Sequence, residues 1–167
     1  MEKNKIRVVW LCHFSNEEIK EYFNIREINE FAPWINNLIQ LFKHNPSVEL
    51  HIVAPNVFTN KKKEFVIDGI HYHFYQRIPI IGTNSLLKKA YTFLKVEQIT
   101  DFCWIKYAIR KIITKIHPDI IHLHGAENPY YSAGILPLIN KFPVITTIQG
   151  FICNNTVTNY NVKYRIR

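Results

Sequence analysis

Apolar positions along the chain follow two alternating rhythms. Continuous β-branched and apolar runs at residues 6–12, 119–123 and 144–148 read as strands covered on both faces. A less regular run with Val48, Leu50, Ile52 and Val53 marks another over residues 48–54. Between these runs the spacing turns helical. Phe31, Trp34, Ile35, Leu38, Ile39 and Phe42, with Pro33 in the first turn, predict a helix from about residue 30 that Asn45-Pro46 ends. Ile99, Phe102, Ile105, Ile109, Ile113 and Ile116 predict one long helix over residues 98–116, with Lys106, Arg110, Lys111 and Lys115 largely off the apolar stripe. Ser15 followed by Glu18 has capping-box spacing and predicts a short helix to about Tyr22.

Asp68-Gly69 between two β-prone runs predicts a hairpin, or a turn into a further strand. Asn128-Pro129 predicts a capped helix start, which Pro137 would shorten. Residues 86–95 are basic and amphipathic and admit two readings: a surface helix packing Leu87, Tyr91 and Leu94 inward, or an element that touches a membrane or an acceptor. Strands alternating with helices predict an α/β fold, a Rossmann-like doubly wound parallel sheet with helices on both faces and the strand at residues 6–12 near its middle. Residues 1–152 are expected to form one domain. Residues 153–167, richer in asparagine and without a closing element, read as a truncated linker or the start of a next element.

In such a sheet, ligands bind outside the carboxyl ends of the strands. His124 and Gly125, then Gln149 and Gly150, stand at two such ends, and His13 follows the first strand. Glycine there allows positive φ and close approach of a ligand to the backbone. Period-two alternation puts His122 and His124 on one face, with His124 nearer the site end. Several chemistries are disfavoured by missing motifs. Neither GxGxxG nor GxxxxGK[ST] occurs, against dinucleotide and Walker-type nucleotide binding, and GxSxG is absent, against an α/β-hydrolase.

A formal charge of +8 and a pI near 9.4 call for acidic partners. No zinc-finger, RNP-type or helix-turn-helix signature accompanies the charge, so nucleic acid is not expected. Cys12, Cys103 and Cys153 have neither disulfide-framework nor zinc-site spacing, which points to reducing cytosol and to no structural metal. The apolar run near the N-terminus is too short and strand-like for a signal peptide, and no run reaches membrane-spanning length. A cytoplasmic protein, or one peripheral on the inner face of a membrane, is expected.

The order of these elements, with His117-Pro118-Asp119-Ile120-Ile121-His122-Leu123-His124-Gly125 and then Pro143-Val144-Ile145-Thr146-Thr147-Ile148-Gln149-Gly150-Phe151, resembles the N-terminal half of retaining glycosyltransferases of the GT-B fold, family 4. The resemblance covers residues 5–152. It implies one half of a GT-B fold: the acceptor-binding domain of a hexosyltransferase-type enzyme that moves a sugar from a nucleotide-sugar donor to a polysaccharide or glycolipid acceptor. It further implies a C-terminal donor-binding domain carrying the catalytic groups, no tightly bound cofactor, and an isolated chain that is inactive. The substrate-binding residues would be His13, His124, Gly125, Glu127, Gln149 and Gly150. Lys88, Lys89 and Lys95 would meet an anionic membrane or a lipid-linked sugar acceptor. The family often has histidine where Gln149 stands, and glutamine can hydrogen-bond a hydroxyl but cannot transfer a proton. Two other classes stay open: a metal-dependent hydrolase using His122 and His124, joined by His13 and Glu127, and a non-catalytic flavodoxin-like binding module.

Overall fold

The computed structural model describes residues 5–25, 32–59, 61–79 and 85–148. Strands β1 (Ile6–Leu11), β2 (Val48–Asn56), β3 (Lys63–Ile67), β4 (Ile70–Gln76), β5 (Ile120–His124) and β6 (Val144–Thr147) form one sheet in the order β3-β4-β2-β1-β5-β6. Neighbours are parallel except β3 and β4, the two arms of a hairpin. Its turn is Asp68-Gly69, both with positive φ as a type I′ turn requires. β1 lies in the interior of the sheet because its apolar run suits a strand paired on both edges, Val8 standing beside Leu50 and Ile120.

Strand alternation divides the core into two layers. Trp10, Leu50, Ile52, Tyr72 and Phe74 face helices α1 (Glu17–Phe23) and α2 (Pro33–Phe42), meeting Ile19, Ile35 and Ile39. On the other face Val9, Leu11, Val53, Tyr75, Ile121 and Leu123 meet Ile105, Ile109 and Ile113 of α5 (Cys103–Ile116). Two shorter helices, α3 (Ser85–Phe93) and α4 (Val96–Ile99), precede α5, and a single turn, α6 (Pro129–Ser132), runs into a 3-10 turn at Ala133–Ile135. Arg7 fastens α5 to the sheet. Its Nη1 donates to the Ile116 carbonyl at 2.8 Å while its backbone N–H donates to Asp119 Oδ2 at 2.7 Å, so a cation satisfies a helix C-terminus.

Three local expectations are corrected. The cap of α1 is Asn16, whose Oδ1 accepts from Ile19 N at 2.9 Å; Ser15, one residue earlier, is fully buried. The predicted long helix is broken: Asp101 and Phe102 take positive φ between α4 and α5. That kink turns Phe102 inward against Tyr130, ring centroids 5.8 Å apart, and leaves Ile99, counted in the apolar stripe, 77% exposed. Leu87 in α3 and Leu94 just after it do not pack inward; they are 53% and 59% exposed, and Tyr91 alone of the three is half-buried.

Candidate functional site at the strand-order reversal

From β1 the chain lays β2 and β4 to one side, then crosses the sheet to place β5 and β6 on the other. The loops after β1 and β5 therefore leave in opposite directions, and the crevice between them is the topological switch point of the sheet. His13 lies on the first loop; Gly125, Glu127 and Asn128 lie on the second. Gly125 has φ of 90°, a value that only glycine takes without strain, and its N–H donates to Thr147 O at 2.8 Å, tying the loop to β6. Asn128 caps α6 as its sequence predicts, accepting from Tyr130 N at 3.1 Å. With one turn, α6 has too little macrodipole to hold an anion by itself.

Charged and polar groups gather on these loops. Arg77, the residue after β4, stacks its guanidinium 4.4 Å over the Tyr130 ring. The Tyr75 hydroxyl donates to Tyr130 O at 2.7 Å and holds the ring's backbone in place. Burial, and then the Arg77 charge, push the His13 imidazole below its ordinary pKa. Burial pushes Glu97, 5% exposed on α4, upward, against a weaker opposing pull from Arg77. Buried polar atoms are normally paired. Here Arg77 Nε and Glu127 Oε2 are buried without a hydrogen-bond partner, which suits a site that a polar ligand or water completes.

His124 corrects the expectation of a residue lining the cleft wall. It is 1% exposed, because its strand parity aims it toward the α2 layer, between Trp10 at 4.7 Å and Trp34 at 5.5 Å. Both its ring nitrogens are buried without partners, and burial, with His122 beside it, pushes its pKa down to about 3. His122 instead pairs its Nε2 with the Thr147 hydroxyl at 2.7 Å. Gln149 and Gly150 lie outside the described residues. Lys88 and Lys89 lie on α3, and Lys95 in the turn that follows it. The hydrolase reading put His13, His122, His124 and Glu127 together as ligands. Among the described residues, the ligand atoms that converge, within 4.8 Å of one another, belong to Glu49, His51 and His71.

Sequence reasoning passed over Arg77 and this second cluster. The strand-end rule that singled out His124 applies equally to Arg77. The Glu49-x-His51 and His71-x-His73 spacings put like residues on one face of adjacent strands, a signal that needs the β2–β4 pairing to be read.

A mostly parallel sheet with helices on both faces and a polar switch-point crevice defines a Rossmann-like α/β domain. A model of the glycosyl transferase 4-like family matches residues 44–156, about two thirds of the chain. The chain belongs to that family and is a family 4 glycosyltransferase domain. Comparison with curated proteins and with solved structures yields no match. Among the described residues no helix is long and apolar enough to cross a membrane.

Proposed function

We propose that this domain binds the acceptor of a retaining glycosyl transfer, a sugar carried on a polysaccharide or a phosphate-linked lipid, and presents it to a donor-binding domain that holds the nucleotide-sugar. The observation that carries this reading is the switch-point crevice, where Arg77 and Glu127 offer buried, unpartnered polar atoms. A guanidinium suits an acceptor phosphate, and a carboxylate suits sugar hydroxyls. In transfer with front-face departure of the donor phosphate, stabilisation of the leaving group would come from the donor-binding domain. His13 and Gly125, on the loops after β1 and β5, would line the acceptor site. The test is saturable binding of pyrophosphate-linked sugar-lipid analogues to the chain, followed by calorimetry. Arg77→Gln and Glu127→Gln are each expected to weaken binding tenfold or more with an unchanged circular dichroism spectrum. Absence of binding across the panel, or binding indifferent to both variants, removes the reading.

The same domain would work at an anionic bilayer. Leu86, Phe93 and Leu94 are 74%, 85% and 59% exposed beside Lys88, Lys89 and Lys95, which is the pattern of an interfacial helix. Charge reversal at the three lysines is expected to lower partitioning onto vesicles of anionic lipid by an order of magnitude or more, at about 1 kcal/mol per basic residue. Equal partitioning of the variant and the parent in a vesicle sedimentation assay would exclude the surface.

A further inference from the structure

On the α5 face of the sheet, toward the amino ends of the strands, β2 and β4 carry Glu49, His51, His71 and His73. His51 and His71 are directly paired across the two strands, their rings stacked with centroids 4.5 Å apart. His51 Nε2 lies 2.9 Å from Glu49 Oε1, and its Nδ1 lies 3.0 Å from His73 Nε2. His73 Nδ1 in turn faces Glu64 Oε1 at 3.7 Å and has no hydrogen-bond partner, although buried.

Two neutral imidazoles bring two N–H groups to the three gaps along the row Glu49, His51, His73 and Glu64, so one gap is always left without a hydrogen. If His51 donates to Glu49, either His73 donates back to His51 and its bare Nδ1 faces a carboxylate, or His73 donates toward Glu64 and two ring lone pairs meet across 3.0 Å. If His51 donates to His73 instead, His73 donates toward Glu64, and the bare His51 Nε2 faces Glu49 Oε1. A cation between those last two atoms removes the conflict, because both then act as its ligands. This last arrangement also matches how metal-bound histidines are held, with the other ring N–H given to a fixed acceptor. His71 joins them as a third ligand residue: one ligand atom from each of Glu49, His51 and His71 lies within 4.8 Å of the others. Arg7 takes the remaining Glu49 oxygen, Oε2, at 3.3 Å and orients the carboxylate without covering Oε1. Glu49 and His71 are partly exposed, so the position is reachable from solvent.

We propose that Glu49, His51 and His71 form a binding site for one divalent transition-metal ion, zinc by ligand type, with His73 as a positioning residue. Two imidazoles, one carboxylate and a water complete a four-coordinate shell, and this nitrogen and oxygen donor set disfavours magnesium and calcium. Five residues along β2, roughly 16 Å, separate His51 from the crevice end of the strand. The ion would clamp β2 to β4 and take no part in sugar transfer.

The experiment is titration of the metal-stripped 167-residue chain with Zn2+ by calorimetry and with Co2+ by visible absorption. One equivalent is expected, with a four-coordinate Co2+ spectrum and a Tm raised by on the order of 5–10 °C at a hundredfold excess over Kd. His71→Gln and Glu49→Gln are each expected to weaken Zn2+ binding a hundredfold or more. His73→Gln is expected to weaken it about 10- to 100-fold and to shift the Co2+ bands while keeping one equivalent. The exposed His117→Gln should change nothing. Absence of stoichiometric binding, binding unaffected in both Glu49→Gln and His71→Gln, or binding lost instead on replacing His122 or His124 would overturn the site.

Discussion

Gly134→Ala is expected to destabilise the domain by about 1–3 kcal/mol, lowering Tm by several degrees for a chain of this size. Gly134 is buried in the 3-10 turn after α6, which packs directly on α5. A Cβ there would stand 2.3 Å from Ile109 Cδ1 and 2.9 Å from Ile109 Cβ. The first contact is with the end of a movable side chain. The second is with an atom fixed to the helix, so the turn or α5 must shift. Against this stands a gain of up to about 1 kcal/mol from replacing glycine in a helical segment. Overpacking wins because both elements are anchored, α5 by its buried isoleucines and the turn by Ile135 and Leu138. A double-mutant cycle with Ile109→Ala, read by urea unfolding, separates the causes. Ile109→Ala should cost less in the Gly134→Ala background than in the parent, and additive costs would show that the clash is absent.

Acidification is expected to weaken the fold, with His124 as a principal contributor. Its folded pKa, about 3, lies below the ordinary 6.5 of an unfolded histidine. Between those values the unfolded chain binds the additional proton, so stability falls as pH drops through 6.5 and this contribution levels off near 3. For one ring the loss from pH 7.5 to pH 5 is about 2 kcal/mol. His122, its ring centroid 3.8 Å away, is also depressed, by burial, and adds to the slope with the same sign. His124→Phe keeps an aromatic ring between Trp10 and Trp34 and removes both unpartnered nitrogens. At pH 5 the variant should be more stable than the parent by about 2 kcal/mol, and the difference should shrink toward neutral pH. His124→Leu, read beside it, guards against overpacking by the larger ring. Parallel stability–pH curves for the parent and both variants would refute the assignment.

Particular residues show how far the sequence carried. The run 6–12 placed β1 inside the sheet, since only a strand paired on both edges and covered on both faces tolerates so few polar positions. Asp68-Gly69 marked the hairpin and Asn128 the cap, because each effect acts between residues a few positions apart. The long helix failed for the opposite reason. Ile99 keeps helical spacing with Phe102 and Ile105, yet Phe102 gains more by turning toward Tyr130 than by continuing the helix, and Tyr130 is 28 positions away in the chain. Leu87 and Leu94 misled similarly: helical periodicity finds an apolar face but not what covers it.

His124 marks the same boundary within the candidate site. Its position at a strand end was legible; its burial was not, since that depends on Trp34 arriving from α2. Arg77 acquires its setting from Tyr130 and Glu97, and the Glu49–His51–His71 cluster exists only because β4 pairs with β2 in one register. The sequence by itself determined the α/β class, most of the elements and the motif-bearing strand ends of a family 4 glycosyltransferase domain, because periodicity and turn chemistry are local. Tertiary structure alone decided which polar groups face the crevice, which are sealed, and which meet across strands, because those outcomes depend on contacts between residues distant in the chain.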